Sequence, residues 1–217
     1  MKNLLLALLV FGATSLLSAQ SNAYVFIFLN KRTDQKELPK EQVDKLMEGH
    51  MANINKMAKE GHLLAAGPFE GGGGIFIFNT TSKEEVSEWI KGDPAIQANR
   101  WNVEILSYTP RAGGVCLVKE PYEMTMYSFV RYVPNIAKFN VQDAPELFGK
   151  HDDYLKEIKK TGNVLAEGTF GENEGGILVM KGEIQSEVIE NDPAVREGLL
   201  EPNRKQLYIA TGAFCEK

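Results

Sequence analysis

The feature that most constrains this chain is a stretch of twenty residues that occurs twice. Residues 50–69 read HMANINKMAKEGHLLAAGPF, and residues 151–170 read HDDYLKEIKKTGNVLAEGTF. Gly-Gly-Ile and then Asp-Pro-Ala follow in both. Aligned without a gap, the stretches share seven residues: His50/His151, Lys59/Lys160, Gly61/Gly162, Leu64/Leu165, Ala65/Ala166, Gly67/Gly168 and Phe69/Phe170. We interpret this as an internal duplication, so both halves are expected to adopt the same fold.

The duplication sets the expected domain organisation of the 217 residues. Repeats of roughly 90 residues have the size of small domains. We therefore expect a first domain at residues 24–109 and a second at 124–217, joined by a linker at 110–123. Residues 1–19 belong to neither repeat.

The N-terminal segment has the pattern of a secretory signal peptide. A short basic start precedes an apolar run at residues 4–17, and small polar residues follow. The run is too short for a comfortable membrane span. We predict that residues 1–19 are a signal peptide cleaved after Ala19, with Ala23 as a second site. The mature protein would then be periplasmic or secreted, without membrane attachment. The alternative is an uncleaved anchor.

The charge balance and the cysteines restrict partners and compartment. The formal charge is -5, the isoelectric point is about 5.4, and Lys and Arg do not cluster, which argues against a nucleic-acid partner. Cys116 and Cys215 each follow the end of a repeat. In an exported chain they can form a disulfide, and the alternative is two buried or free thiols.

Hydrophobic periodicity predicts the same elements in both repeats. In the first repeat, apolar residues three or four positions apart predict a helix between Pro39 and Gly61, and Ser82 with Glu85 forms a capping box that opens a second helix. The predicted strands are 24–29, 63–69, 75–78 and 101–108. The second repeat is predicted as a strand from 126 to 133, a helix over 143–160, strands near Val164 and Ile177, a helix over 184–190 and a strand over 205–211.

The order in each repeat is β-α-β-β-α-β, the ferredoxin-like arrangement. Such a unit has helices on one face of its sheet only, so its other face needs a partner. Two copies in one chain can cover each other. The predicted fold class is therefore α+β, with two ferredoxin-like units forming an intramolecular pseudo-dimeric α/β barrel. The chain would be a monomer in this sense, with further oligomerisation left open.

Two histidines and two aspartates are the candidate site residues. His50 and His151 lie on the apolar faces of their predicted helices, where each is either a core histidine with satisfied ring nitrogens or a general base. Asp93 and Asp192 each precede a proline. This pattern indicates a helix N-cap, and the same carboxylate can also orient a histidine and stabilise its charged form.

Other motifs carry weaker signals. Residues 71–74 are all glycine, but the run lacks the Gly-Lys-Ser/Thr ending of a phosphate-binding loop and indicates a hairpin turn. Trp89 and Trp101 are most simply core residues without counterparts in the second repeat, and His62 is expected at the surface. The histidines and cysteines lack metal-ligand spacing, so we expect neither a metal nor a cofactor.

At these residues the chain resembles the YCII-related (YciI-like) family. In the first repeat the resemblance rests on the helical His50, the segment 61–68 (GHLLAAGP) and Asp93-Pro94. The second repeat matches at His151, Gly162, Ala166, Gly168 and Asp192-Pro193, and departs at Glu167 and Thr169, where the first has Ala66 and Pro68. Together the two repeats cover nearly all of the mature chain.

The resemblance implies a ferredoxin-like α/β-barrel dimer with a His-Asp active site. One characterised relative is a dehydrochlorinase of a chlorinated hydroxyquinol, which implies acid-base chemistry on small cyclic substrates. An export signal and a tandem duplication are unusual beside the small cytoplasmic members, so the substrate does not transfer by analogy.

Our leading hypothesis is an exported, cofactor-independent acid-base enzyme of lyase or isomerase type. Its substrate would be a small cyclic or aromatic-derived molecule. His50 would be the general acid/base and Asp93 its orienting partner, with His151 and Asp192 as a weaker second pair. The competing hypothesis is a non-catalytic module that binds a small ligand, or a structural pseudo-dimer. An open, polar pocket at the histidines favours chemistry, whereas a pocket filled by side chains favours structure.

Overall fold

The computed structural model describes residues 23–35, 37–135, 137, 142–171 and 175–215. The predicted signal peptide lies outside these residues. The N-terminal half contains β1 (Tyr24–Lys31), α1 (Lys40–Lys59), β2 (Leu63–Pro68), β3 (Gly74–Phe78), α2 (Lys83–Ile90), α3 (Pro94–Gln97), β4 (Trp101–Ala112) and β5 (Gly114–Val115). The C-terminal half contains β6 (Met124–Pro134), α4 (Ala144–Lys159), β7 (Val164–Phe170), β8 (Gly176–Met180), α5 (Ser186–Glu190), α6 (Pro193–Arg196), β9 (Leu200–Ala210) and β10 (Phe214–Cys215).

The fold is mixed α+β, as predicted, and both halves have the β-α-β-β-α-β order with one additional short helix each. Several strands are longer than predicted, and β4 and β9 extend furthest past a predicted end. β4 continues to Ala112, into the segment expected to be a linker, because its last residues pair with β7. β9 begins at Leu200 rather than near residue 205 and pairs with β6 along its whole length. Pro202 interrupts the strand pattern in the sequence, yet it is tolerated because β9 is the last strand of the sheet order.

The long helix α1 begins and ends at the residues that the sequence indicated. Pro39 is the N-cap, and Gly61 takes a positive φ of 77° directly after the last turn. The N–H groups of Gly61 and His62 donate to the carbonyl groups of Ala58 and Met57 at 3.1 and 3.0 Å, which closes the helix with a Schellman motif. No helix in the described part of the chain is long and apolar enough to cross a membrane.

The eight long strands form one antiparallel sheet in the order β2-β3-β1-β4-β7-β8-β6-β9. The halves meet where β4 pairs with β7, with Tyr108 opposite Phe170. The outermost strands β2 and β9 also contact each other, because Phe69 forms an isolated bridge with Leu207. Next to this bridge the Glu70 N–H donates to the Gln206 carbonyl at 2.9 Å. The two halves of the sheet therefore meet at two junctions. One is between β4 and β7, and the other is between the ends of β2 and β9.

Glycine permits the close approach of strands at both junctions. A Cβ atom added to Gly67 would collide with the carbonyl oxygen of Tyr208, and one added to Gly168 would collide with the carbonyl oxygen of Thr109. Both glycines belong to the duplicated stretch. The presence of glycine at both positions therefore has a packing explanation, which is that only a residue without a side chain fits between these backbones.

The two sides of the sheet carry different cores. The inner side bears one apolar cluster to which both halves contribute, including Phe26, Phe28, Phe129 and Phe170. On the outer side, each half packs its own helices against its own strands. The helix-covered outer side is where the candidate site residues lie.

Cys116 and Cys215 form a disulfide, with their Cα atoms 6.0 Å apart. This selects one of the two alternatives that the sequence left open. The short strands β5 and β10 pair beside it, with Val115 opposite Phe214, and the Cys116 N–H donates to the Ala213 carbonyl at 2.9 Å. The disulfide thus connects the end of the N-terminal half to the end of the C-terminal half.

Candidate active site

The first predicted pair, His50 and Asp93, is brought together between α1 and the start of α3. His50 lies on the buried side of α1, and its Nδ1 is 2.7 Å from Oδ2 of Asp93. Asp93 is the N-cap of α3, and its Oδ1 accepts the N–H groups of Ala95 and Ile96 at 3.0 and 3.1 Å. One carboxylate therefore both caps the helix and binds the imidazole, through different oxygens.

The environment of Asp93 determines its titration. Burial on its own raises the pKa of this carboxyl group, but the hydrogen bond and charge of His50 act in the opposite direction. The Ile96 N–H and the Asn53 amide, 3.3 Å from Oδ2, also lower it. The net result is a pKa below the ordinary value for aspartate, so Asp93 is ionised at neutral pH.

The second predicted pair, His151 and Asp192, has the same arrangement between α4 and α6. Nδ1 of His151 is 2.6 Å from Oδ2 of Asp192, and Oδ1 of Asp192 accepts the Ala194 N–H at 2.9 Å. Both aspartates are fully buried. In each pair Nδ1 is engaged, and Nε2 makes no hydrogen bond within the part of the chain that the structure describes.

The two pairs differ in what covers the imidazole. The His50 ring lies 4.7 Å from the Trp101 ring and 5.6 Å from the Phe76 ring, measured between centroids. Trp101 packs against the outer core of the N-terminal half, as the sequence led us to expect, and its ring also covers the candidate site. In the other half Leu200, which begins β9 as Trp101 begins β4, is much smaller.

The remaining residues singled out in the sequence lie away from the pairs. His62 is partly exposed, stacks on Trp89 with ring centroids 4.0 Å apart, and lies 3.8 Å from Glu60. The glycine run forms the predicted hairpin turn between β2 and β3 and ends in β3 at Gly74, and within the turn the Gly72 N–H donates to the Phe69 carbonyl at 3.0 Å. Among the described residues no group of three His, Cys, Asp or Glu side chains is placed to hold a metal ion.

A cavity of about 180 Å³ opens beside His151. It lies between α4 and the outer side of the sheet, and the C-terminal half provides most of its walls. Its polar lining residues are Arg111, Tyr132, His151, Asp152, Glu167 and Thr169, and Leu155, Ile177 and Leu200 are among its apolar ones. The sequence had led us to regard this pair as the weaker one, chiefly because of Glu167 and Thr169, and both residues prove to line the cavity.

Glu167 anchors a buried ion network at one wall of the cavity. Its side chain is 1% exposed, accepts from Nε of Arg111 at 2.8 Å and lies 3.3 Å from Nζ of Lys159. Arg111 also binds Asp152 on α4. Burial lowers the pKa of Arg111, but Glu167 and Asp152 raise it by more, so the guanidinium stays charged. Sequence reasoning missed this network, although an acid between Ala166 and Gly168 in a buried strand was a signal for it.

Tyr132 is the second residue that sequence reasoning missed. It lies on β6 opposite Gly176, the position that Leu29 occupies on β1 opposite Gly74. Its ring is 4.8 Å from the His151 ring, edge to face. The hydroxyl is buried and has no hydrogen-bond partner in the described part of the chain. Burial, reinforced by the charge of Asp192, raises the pKa of this phenol, so it remains a protonated donor at neutral pH.

Comparison with known proteins adds family information for one half. Residues 24–108 match the sequence model of the YCII-related domain. No curated protein matches the chain significantly. The similar solved structures include a candidate monooxygenase from Lactobacillus acidophilus NCFM, with 13% identity, a TM-score of 0.41, and coverage of 87% of this chain and 95% of that one.

A variant of chlorite dismutase from Candidatus Nitrospira defluvii has 11% identity and a TM-score of 0.45, with coverage of 88% of this chain and 92% of that one. These likenesses are too weak to carry an argument about chemistry.

Proposed function

We propose that this protein is an exported, cofactor-independent acid-base enzyme of lyase or isomerase type, with its reaction centre at His151. The observation that carries the proposal is the cavity beside the His151–Asp192 pair. A general base must touch its substrate, and this cavity gives a small molecule access to the imidazole. The disulfide supports export, because disulfides persist in oxidising compartments.

In the proposed architecture the two halves form an intramolecular pseudo-dimeric α/β barrel. Matching contacts at the two junctions support it. Tyr108 faces Phe170 at one junction, and Leu207 faces Phe69 at the other. The Gly171 N–H donates to the Ser107 carbonyl at 3.2 Å, as the Glu70 N–H does to Gln206. The reaction centre would then lie outside the barrel, under α4.

The proposed chemistry divides the roles between neighbouring groups. With Nδ1 donating its proton to Asp192, the lone pair of His151 is on Nε2, which accepts a proton from a substrate carbon or hydroxyl. Asp192 acts as a positioning residue that stabilises the resulting imidazolium. Return of the proton to another atom completes an isomerisation, whereas loss of a leaving group as an anion completes an elimination. The neutral Tyr132 hydroxyl is the donor for negative charge that develops on the substrate.

The size and lining of the cavity and the YCII-related match support the proposed substrate class. A volume of about 180 Å³ is below the ~300 Å³ at which sites for drug-sized ligands begin, so the substrate is small. Apolar walls beside one ion network suit a small cyclic or aromatic-derived molecule with few polar groups. The match of residues 24–108 to the YCII-related domain is consistent with small-molecule chemistry.

A second candidate function applies to the His50–Asp93 pair. Because aromatic rings cover His50, this pair is proposed to fasten α1 to the start of α3 rather than to react. If the same were true of the other pair, the chain would be a ligand-binding or structural module without turnover.

The test begins with the purified mature chain and a library of small cyclic molecules, screened for ligand-induced increases in Tm and then for turnover. His151→Gln retains size and polarity but cannot transfer a proton, so turnover should fall by a factor of about 10² to 10⁴. His50→Gln is the matched control and should retain most of the activity. Turnover that survives His151→Gln, or ligand binding at His151 without any turnover, would contradict the catalytic proposal.

A further inference from the structure

On the inner side of the sheet, the side chains change from apolar to polar near one end of four strands. Alternate strand residues point to the same side, and on the inner side they build the core that both halves share. Two positions beyond a core residue on each strand, the inward residue is polar. These residues are Asn30 beyond Phe28, Glu104 beyond Leu106, Arg131 beyond Phe129 and Lys205 beyond Leu207. A polar and charged layer therefore lies directly on an aromatic floor.

A cavity of about 230 Å³ occupies this layer. Its lining residues include Phe28, Phe69 and Phe129, the cationic Arg131 and Lys205 on the inner side, and Lys31 at the end of β1. Both halves contribute, and no lining residue is shared with the cavity at His151. The two cavities are therefore separate sites, one on each side of the sheet.

The aromatic floor is fixed in place by its neighbours. The Phe129 ring lies 5.2 Å from the Phe69 ring and 6.1 Å from the Phe28 ring, between centroids. The guanidinium carbon of Arg131 is 4.2 Å from the centroid of the Phe28 ring. A cation at this distance over a ring is held by a cation–π interaction. The guanidinium of Arg131 is thus held directly over the aromatic floor.

The charges around the cavity favour an anion. Arg131 donates to Glu104 through Nη2, and the other oxygen of Glu104 accepts from Asn30 at 2.6 Å. Arg131 and Lys205 extend from the inner side of the sheet against this one carboxylate, which leaves an excess of one positive charge. Nε of Arg131 is buried without a hydrogen-bond partner in the described chain. Glu104 therefore leaves part of the hydrogen-bonding capacity of this guanidinium unused.

We propose that this cavity binds a small aromatic carboxylate. A planar carboxylate matches the donor edge of a guanidinium, and an aromatic ring matches the phenylalanine floor. Phosphate fits less well, because the amide of Gly72 in the adjoining glycine turn donates to the Phe69 carbonyl and is not free for an anion. Nothing in this inference depends on catalysis at His151.

The test uses isothermal titration of the mature chain with benzoate, benzyl alcohol and inorganic phosphate. Benzoate should bind more tightly than benzyl alcohol or phosphate. Arg131→Gln should weaken benzoate binding at least about tenfold, the size expected for lost hydrogen bonds to a charged group, and Lys205→Gln by a smaller factor. The matched control is Arg204→Gln, next to Lys205 on β9, because Arg204 binds Ser186 and Glu190 on the helix-covered side.

Further measurements either support or overturn the proposal that benzoate binds in this cavity. Intermolecular NOEs from the benzoate ring to Phe28, Phe69 and Phe129 would place the ligand in this cavity. Equal affinity for benzoate and benzyl alcohol, no benzoate binding, or unchanged affinity in both Arg131→Gln and Lys205→Gln would overturn the proposal. Loss of benzoate binding in His151→Gln would place the anion in the other cavity, which separates this proposal from the one on catalysis. The Lys205 variant keeps the test decisive if Arg131→Gln does not fold.

Discussion

At His50 the rings of Trp101 and Phe76 cover the imidazole, whereas at His151 a cavity of about 180 Å³ lies beside it. The two His–Asp distances differ by only 0.1 Å, at 2.7 and 2.6 Å. The difference between the sites therefore arises outside the pairs, from the residues that surround them. Both imidazoles are almost equally buried, with side chains 6% and 7% exposed, so the two pairs differ in the space beside the ring and not in exposure. In this sense the site at His151 is open and the site at His50 is closed. The comparison teaches that neighbouring side chains decide whether a His–Asp pair has a cavity beside it.

Substitutions in the ion network beside His151 should change the free energy of unfolding the most. Arg111→Met leaves the buried Glu167 with Lys159 as its remaining ion partner, and breaking a buried pair in this way should cost about 3 kcal/mol of unfolding free energy. Urea unfolding measures the loss. Arg204→Met removes a more exposed pair with Glu190 and should cost less than about 1 kcal/mol.

A second substitution, at Glu167, tests whether the loss arises from its unpaired carboxylate. Adding Glu167→Ala to Arg111→Met should recover most of the loss, because the unpaired carboxylate is removed and alanine already fills this position as Ala66 in the closed half. Equal losses in the Arg111 and Arg204 variants would show that the buried network contributes no more to stability than an exposed ion pair.

Exchanging Leu200 and Trp101, the residues that begin β9 and β4, tests the comparison directly. The expected changes in unfolding free energy are intermediate in size. Leu200→Trp should fill the cavity at His151 and abolish ligand binding there, with a change in unfolding free energy of about 1–3 kcal/mol from overpacking. Trp101→Leu should open space at His50 and cost about 2 kcal/mol. Thermal unfolding with and without the ligand from the screen, and crystal structures of both variants, give the readout. Unchanged ligand binding in Leu200→Trp would contradict the placement of the open site.

The smallest effect is expected at the His50–Asp93 pair, where the free energy of unfolding should depend on pH. The pKa of Asp93 is lower in the folded chain than its ordinary value, so its ionisation stabilises the fold at pH above about 4. This contribution is lost as the pH falls from there through the folded-state pKa. Asp93→Asn retains a good N-cap residue and should flatten the acid limb of the stability curve.

Asp44→Asn is the control for this measurement. It removes an exposed carboxylate that pairs with Lys40 on the same helix α1. Surface pairs contribute little, so the acid limb should stay as in the wild type. An Asp93→Asn variant with the wild-type pH profile would show that the closed pair does not contribute to folding through its charge.

The parts of the molecule that could be predicted are those fixed by local pattern. Periodicity and capping residues gave α1, and the duplicated Asp-Pro gave the N-caps that place Asp93 and Asp192. The two histidines followed from their place on the buried helix faces. These signals depend on neighbours within one or two turns, so one sequence is enough to interpret them.

The parts that could not be predicted depend on contacts between distant segments. Glu167 is satisfied by Arg111, which is 56 residues away and lies in a segment assigned to a linker. The openness of each site depends on which side chain begins β4 or β9, and Trp101 appeared to be an ordinary core residue. Such contacts are set by strand register across the junction of the halves, which local patterns do not encode.

The disulfide gives the chain a second covalent route between its halves. The only peptide connection runs through residues 116–123, where Leu117 is 59% and Tyr122 is 48% exposed, as suits a protease target. A single cut after either residue would leave Cys116 bonded to Cys215, so the fragments would stay attached. The molecule would survive such a cut as a two-chain protein with one covalent bridge, and only a cut combined with reduction would remove every covalent link between the halves.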